Sequence, residues 1–139
     1  MTLTDPEEPT FLRMPSDGRS KEWPGPWIGF QGIGTPLFRL VFDLADSPWK
    51  SARWHVAVLG LYDPRCNGIP LAPGHRLNEY TDFWKRVYFQ TFDVASLLRP
   101  GSNVLALALS GGYCEQFGFA PPGFRSVLEI ELTDGTKIR

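Results

Sequence analysis

Cysteine is scarce in this chain: Cys66 and Cys114 are the only two among 139 residues. Two cysteines are too few for a disulfide framework, and their spacing does not match a zinc site. A single disulfide between them remains open, but free thiols are the expectation for a chain without an export signal. A chain of this length can bury a stable hydrophobic core without disulfides or metal ions.

No charge of one sign dominates, and no apolar run is long. The 14 basic and 15 acidic side chains give a net charge of -1 and are well mixed, which argues against the clustered positive charge that nucleic acids and membrane surfaces attract. The longest apolar runs, such as Val104 to Leu109, are far shorter than a membrane span. The N-terminus lacks the basic-then-apolar pattern of a signal peptide, so a cytoplasmic location is expected.

Long helical periodicity is also missing, whereas the 14 glycines and 13 prolines are typical of short strands joined by turns. Apolar and polar residues alternate in several segments, as half-buried strands require. Strands are predicted in PLFRLVFDL, ARWHVAVLG, RVYFQTFDV, NVLALALS and SVLEIELTDG. The predicted fold is all-β, an antiparallel β-sandwich of the jelly-roll type.

Further predictions concern the faces of one strand and the turns between strands. Val87, Phe89 and Thr91 are predicted to form the buried face of the strand RVYFQTFDV. The pair Asn67-Gly68 predicts a hairpin, in which Asn67 is interpreted as a turn residue. DSPWKSA is predicted to be a turn, and prolines flank the hairpin signal within YDPRCNGIPLAPG.

A single domain is expected at this length. Residues 1–22 are rich in charged and turn residues and are predicted to form a loosely ordered leader, followed by one β-sandwich domain over residues 23–139. The sequence stops at LTDGTKIR, where Asp134-Gly135 predicts a hairpin turn and the residues after it begin another strand. That ending indicates either a fragment or a chain whose last strand is short.

A series of motifs follows a fixed order along residues 23–135. The series is Leu-Phe-Arg, Leu-Gly-x-Tyr, Asn-Gly, Thr-Asp-aromatic with Lys-Arg-Val, aromatic-Gln-Thr-aromatic-Asp-Val, Leu-Leu-x-x-Gly-x-Asn and Gly-Gly-Tyr. Each motif is weak by itself, but the ordered series is specific. It resembles the N-terminal domain of bacterial alpha-L-rhamnosidases.

This resemblance implies a jelly-roll β-sandwich of the galactose-binding type that is accessory to a separate catalytic domain. In that family a helical barrel hundreds of residues long carries out the hydrolysis, so this chain is expected to be no enzyme by itself. Related accessory domains bind L-rhamnose, in some cases through calcium. The expected partners are a carbohydrate containing L-rhamnose and a glycosidase catalytic domain or a second copy, with no nucleic acid and no membrane.

One loop carries the side chains that sugar binding needs, an aromatic plate and planar polar groups that pair with vicinal hydroxyls. The predicted sugar-binding residues in this loop are Asn78, Glu79, Tyr80, Asp82 and Trp84. Asn78, Glu79 and Asp82 also offer the hard oxygen atoms that calcium prefers, and no other cofactor is predicted. The alternative is that the two aromatics cover the edge of the sandwich while the acids are solvated turn residues.

A second aromatic cluster follows in SGGYCEQFGFAPPGF and adds Tyr113 to the predicted sugar site. Four aromatic side chains in a long loop indicate a ligand wall or an interface with a neighbouring domain. A loop folded over its own sandwich explains them equally well.

No catalytic residue is predicted. Glycoside hydrolysis needs two carboxyls that face each other across a bond, and Glu79 and Asp82 are neighbours in one loop. Ser110 also lacks the Gly-x-Ser-x-Gly elbow, so a small hydrolase is the weakest hypothesis. The predicted function is a non-catalytic, carbohydrate-binding-type accessory domain of an alpha-L-rhamnosidase-like glycoside hydrolase, which contributes substrate recognition or domain packing. The alternative is a structural or interaction module that oligomerises or packs on a catalytic domain without binding sugar.

Overall fold

The computed structural model describes residues 26–30, 34–73, 87–118 and 121–139. Its strands are β1 (Ile28–Gly29), β2 (Leu37–Leu44), β3 (Trp49–Leu59), β4 (Leu61–Cys66), β5 (Ile69–Pro70), β6 (Phe89–Asp93), β7 (Gly101–Ser110), β8 (Gly123–Leu132) and β9 (Lys137–Ile138). A short helix, α1 (Gly112–Gln116), follows β7. No helix in these ranges is long and apolar enough to cross a membrane. The predicted leader, residues 1–22, lies outside them and stays a prediction.

Two antiparallel sheets form the described part of the molecule. The first has five strands in the order β1-β8-β3-β6, with β9 also pairing with β8, and the second has four in the order β2-β7-β4-β5. The longest pairing joins β3 to β8, from Trp49 opposite Leu132 to Leu59 opposite Gly123. β7, the nearly all-apolar strand, lies between two neighbours in its sheet, as its composition favours. The predicted all-β sandwich is confirmed.

The core lies between the two sheets because every second side chain of each long strand points inward. On β3, for example, Trp54, Val56 and Val58 are buried and Arg53 is exposed. The buried residues of this core are Ala52, Trp54, Val56, Val58, Tyr62, Cys66, Val94, Leu98, Leu105, Leu107, Leu109, Phe124 and Ile130. They come from both sheets, so the core holds the two layers together.

A buried hydrogen-bond network closes one end of the four-stranded sheet. Asn103 is fully buried, and its Oδ1 accepts from the backbone N–H of Arg99 at 3.0 Å and from Nδ2 of Asn67 at 2.9 Å. Its Nδ2 donates to the carbonyls of Arg99 and Gly101 at 2.7 and 2.9 Å. The Oδ1 of Asn67 accepts from the N–H of Val104 at 2.8 Å. The predicted hairpin at Asn67 is confirmed, and the structure adds that this side chain ties the hairpin to β7.

The predicted buried face of RVYFQTFDV is wrong for two of its three residues, and the third, Val87, is buried in an apolar cluster separate from the core. Phe89 and Thr91 are exposed, whereas Gln90 and Phe92 face the core. The Tyr62 hydroxyl donates to Oε1 of Gln90 at 2.7 Å, which gives an amide between the sheets a hydrogen-bonding partner. The segment has apolar residues at both odd and even positions, and a shift of one residue exchanges the two faces of a strand.

The segment predicted as a turn, DSPWKSA, lies partly in a strand, and the hairpin at Asn67 includes a proline within its first strand. β3 already begins at Trp49, inside the predicted turn, and β4 runs from Leu61 to Cys66 through a proline. The carbonyl of Pro64 accepts from the N–H of Leu71 at 3.0 Å, on the side of β4 that faces away from β7. Because the missing N–H of Pro64 lies on that same side, the pairing of β4 with β7 loses no hydrogen bond.

Candidate functional site

The helix α1 is anchored to the outer face of the five-stranded sheet by one buried side chain. Cys114 is fully buried in a second apolar cluster with Trp27, Ala57, Leu59 and Val87. Ala57 and Leu59 lie on the face of β3 opposite to the core, because side chains alternate along a strand. The segment predicted as a loop therefore contains a helical turn that is packed on the sandwich.

Two aromatic rings on α1 and its C-cap form an exposed plate, which we call the Tyr113–Phe117 plate. Tyr113 and Phe117 are four residues apart, so they lie on one side of a helical turn. Their ring centroids are 6.0 Å apart and their planes differ by 11°. Tyr113 is 47% exposed and Phe117 is 58% exposed. Two nearly parallel, accessible aromatic faces are the kind of surface on which the apolar face of a sugar ring stacks.

The plate lies close to Val87, the first described residue after the segment that contains the other predicted site residues. Asn78, Glu79, Tyr80, Asp82 and Trp84 lie outside the described residues, so their part in a site stays a prediction. Val87 is the first described residue after them, and it packs in the same cluster as Cys114, the neighbour of Tyr113. Of the six predicted sugar-binding residues, Tyr113 alone lies within the described residues. Its neighbour Cys114 shares a cluster with Val87.

The outer face of the five-stranded sheet carries further aromatic contacts that the sequence did not indicate. The guanidinium of Arg125 lies over the Trp27 ring, 5.5 Å from its centroid. His55 Nδ1 and Thr91 Oγ1 are 2.8 Å apart, and the rings of His55 and Phe89 meet edge to face at 6.0 Å. The sequence analysis assigned Phe89 and Thr91 to the buried face, so it did not predict these contacts. Assigning Gln90 and Phe92 to the buried face instead would have predicted them.

The predicted calcium ligands Asn78, Glu79 and Asp82 lie outside the described residues, so calcium binding stays a prediction. Within residues 26–30, 34–73, 87–118 and 121–139, no three His, Cys, Asp or Glu side chains are grouped as metal ligands would be.

Both cysteines are free and buried, and they belong to different apolar clusters. The disulfide that the sequence left open is therefore not formed. Burial raises the pKa of the Cys66 thiol, and it raises the pKa of the Cys114 thiol to about 11. A thiol with a raised pKa holds little of the reactive thiolate, so neither residue is suited to nucleophilic chemistry.

The raised pKa of Cys114 predicts a loss of stability in alkaline solution. Its stabilising effect is fully present below the ordinary thiol pKa of 9.0 and is lost as the pH rises toward about 11, because the unfolded chain releases the proton first. Unfolding in urea between pH 8 and 11 measures the effect, and we expect Cys114 to account for about 2 kcal/mol of the decline. Cys114→Ala, which does not titrate, should flatten this part of the pH profile; an equally steep profile in the variant would contradict the prediction.

Residues 47–139 match the protein-family model described as the alpha-L-rhamnosidase N-terminal domain. The chain belongs to this family. The resemblance inferred from the ordered motifs is therefore confirmed over most of the sandwich.

This rhamnosidase N-terminal domain also matches longer curated proteins. It is 34% identical over 125 residues to an alpha-L-rhamnosidase of Streptomyces avermitilis, which covers 83% of the chain and 12% of that protein. It is 25% identical over 140 residues to an alpha-L-rhamnosidase of Formosa agariphila, covering 85% of the chain and 15% of that protein. The chain thus spans only a small part of the length of these relatives.

Solved structures show the same relationship. An alpha-L-rhamnosidase from Dictyoglumus thermophilum superimposes with a TM-score of 0.69 at 30% identity, over 75% of this chain and 12% of that one. The Streptomyces avermitilis enzyme, crystallised in complex with L-rhamnose, superimposes with a TM-score of 0.68 at 34% identity, over 74% of this chain and 11% of that one. Both confirm the two-sheet architecture.

Proposed function

We propose that this chain is a non-catalytic, carbohydrate-binding-type accessory domain of an alpha-L-rhamnosidase-like glycoside hydrolase. The observation that carries the proposal is the Tyr113–Phe117 plate, an accessible aromatic surface fixed to a rigid sheet by Cys114. The candidate loop returns beside it at Val87 and would supply Asn78, Glu79, Asp82 and Trp84 as polar and aromatic partners. Recognition sites of this kind combine loop side chains with a rigid scaffold.

The sugar class proposed is one that contains L-rhamnose. Support comes from the family and from the 34% identical Streptomyces avermitilis structure, whose complex contains L-rhamnose. Rhamnose has an apolar face that can stack on an aromatic ring and vicinal hydroxyls that can pair with planar polar groups. Hydrolysis is assigned to a separate catalytic domain of the parent protein.

Calorimetric titration of the chain with L-rhamnose, and with other monosaccharides for comparison, tests the proposal. We expect saturable binding that Tyr113→Ala weakens about tenfold, because the variant loses one stacking face. Trp84→Ala and Glu79→Ala test the loop half of the site. Repeating the titration with a calcium chelator tests whether Asn78, Glu79 and Asp82 act through a bound ion.

Ile138→Ala is the matched control for this titration. Ile138 is an exposed apolar residue on β9, which pairs near Ile130, at the end of the sandwich away from α1. Its replacement should leave the affinity unchanged. Absence of saturable binding to every sugar, or binding that survives the Tyr113 and Trp84 replacements together, would overturn the proposal.

The second candidate is an interaction module that packs on a catalytic domain or on a second copy without binding sugar. It is favoured by the apolar side chains along β2, of which Leu37 is 80% exposed. No sugar binding, together with a dimer whose population depends on concentration, would favour this function over the first.

A further inference from the structure

One side of the sandwich is open between the two sheets. Within the described part of the chain, β2 pairs with β7 alone, so its other edge faces no strand. On the same side, β8 pairs with β1 at Gly123–Phe124 and with β9 at Ile130–Glu131. An open edge presents unpaired backbone groups to any other strand.

The open side is also apolar. A groove of about 520 Å³ lies between the sheets, lined by Leu40, Phe42 and Leu44 of β2 and by Leu128 and Ile130 of β8. Leu40 is 59% exposed although it points toward the core side of its sheet, because nothing described covers it. Val41, on the other face of β2, is 49% exposed. A contiguous apolar edge of this kind is typical of a protein–protein contact.

The backbone groups on the free edge of β2 can be assigned. The carbonyl of Pro36 accepts from the N–H of Leu109 at 3.0 Å, and the register of β2 against β7 continues without interruption to Leu44. In an antiparallel pair the hydrogen-bonded residues alternate, so even-numbered residues of β2 bond to β7. The N–H and C=O groups of Arg39, Val41 and Asp43 therefore point to the open edge.

The sequence of this edge is complementary to itself. If two copies of β2 pair antiparallel about a twofold axis through Val41, Arg39 of each copy lies opposite Asp43 of the other, and Leu40 lies opposite Phe42. Shifting the axis to Leu40 would place Arg39 opposite Val41, and shifting it to Phe42 would place Asp43 opposite Val41. Opposite charges facing each other across strands are favourable, so charge selects the register centred on Val41. In the described part of the molecule, neither Arg39 nor Asp43 forms an ion pair.

We propose that the β2 edge is a docking site for a second copy of this chain, paired antiparallel with its axis at Val41. The pairs Arg39–Asp43, Val41–Val41 and Asp43–Arg39 would each exchange two N–H···O=C bonds, because all three residues direct their backbone groups outward. The axis is perpendicular to the sheet, so both five-stranded sheets lie on the same side and the two apolar grooves join. The association does not depend on sugar binding.

Sedimentation velocity of the chain over a range of concentrations, without sugar, measures the association. We expect a dimer whose fraction rises with concentration. Val41→Pro should leave a monomer, because proline removes the central N–H donor and blocks the edge. The fold should survive this change, since that N–H does not bond to β7, and circular dichroism with thermal unfolding checks this.

Thr91→Pro is the matched control. The N–H of Val94 bonds to the carbonyl of Ala52 at 3.0 Å, so odd-numbered residues of β6, including Thr91, direct their N–H away from β3. The control thus places a proline in an outward position of a different edge strand, and we expect the dimer to persist.

Charge replacement tests the register. Arg39→Asp places like charges opposite each other at both symmetry-related pairs and should raise the dimer dissociation constant about tenfold or more, as should Asp43→Arg. When the two variants are mixed, every such pair is again of opposite sign, so a heterodimer of wild-type affinity should form.

A wild-type chain that stays monomeric at every concentration would overturn the proposal; this is the result expected if the edge serves another segment of a longer polypeptide instead. A dimer that persists in Val41→Pro, or that both single charge variants leave intact, would overturn it as well. Loss of sugar binding in the titrations described above would not affect any of these results.

Discussion

Replacing Asn103 with alanine should lower the free energy of unfolding by about 3 kcal/mol or more, one of the two largest effects expected of any single substitution in this domain. The side chain is fully buried and takes part in four hydrogen bonds. Its loss removes the partner of the Arg99 N–H, of two carbonyls and of the Asn67 amide, and it leaves a cavity where the buried side chain was. Buried polar groups without partners are costly because they give up their hydration.

Urea unfolding of the variant measures this effect, and Ser102→Ala is its control. Ser102 precedes Asn103 on β7 but is exposed, so its replacement should change the free energy of unfolding very little. Asn103→Asp adds a second test, since it keeps an acceptor while losing both donated bonds and burying a charge. If Asn103→Ala were as stable as Ser102→Ala, the network would contribute nothing to stability.

Replacing Gly60 with alanine should cost about 3 kcal/mol or more, for a steric reason. Gly60 joins β3 to β4 with a φ of 136°, and a Cβ atom there would lie against the carbonyl oxygen of Ser110, well inside van der Waals contact. Ser110 is the last residue of β7 and pairs with Leu61, so neither backbone segment can move without disturbing the ladder. The added Cβ atom would also lie 3.5 Å from the carbonyl oxygen of Gly111, the residue before α1. We therefore expect α1, and with it the Tyr113–Phe117 plate, to shift.

Gly68→Ala separates steric conflict from backbone preference. Gly68 also has a positive φ, 83°, but a Cβ atom there would meet open space. Its replacement should therefore cost only about 1 kcal/mol, the usual effect of placing a side chain in this region of φ. Thermal unfolding of both variants gives the comparison, and equal destabilisation would show that the contact with Ser110 does not matter.

The strands that the sequence predicts correctly are those whose two faces differ in character. β3 alternates Trp54 and Val56 with Arg53 and His55, so over residues 53–56 one face is apolar and the other is polar. β6 fails this criterion, because Val87 and Phe89 compete with Tyr88 and Phe92 for the core. Which face of β6 points to the core depends on a residue far away in sequence, Tyr62, whose hydroxyl donates to Gln90.

Other differences also depend on long-range contacts. Whether a proline such as Pro64 interrupts a strand depends on which neighbour lies on the side of its missing N–H, and the sequence alone does not show this. For the candidate site, the sequence named the aromatic cluster that contains Tyr113, but not the helical turn that brings Phe117 onto it. A turn of five residues beginning with glycine has little helix propensity, and its position is set by the burial of Cys114.

The strand order bears on how the domain forms during synthesis. β2 pairs with β7, with Leu37 opposite Ala108, and β3 pairs with β8, with Leu59 opposite Gly123. A ribosome therefore completes β2 and β3 well before their main partner strands are synthesised. Until then the apolar faces of β2 and β3 stay exposed in the nascent chain. Topologies dominated by such distant pairings fold slowly and expose strands that can aggregate meanwhile. The hairpin at Asn67, whose two strands are adjacent in sequence, is the part that can form first.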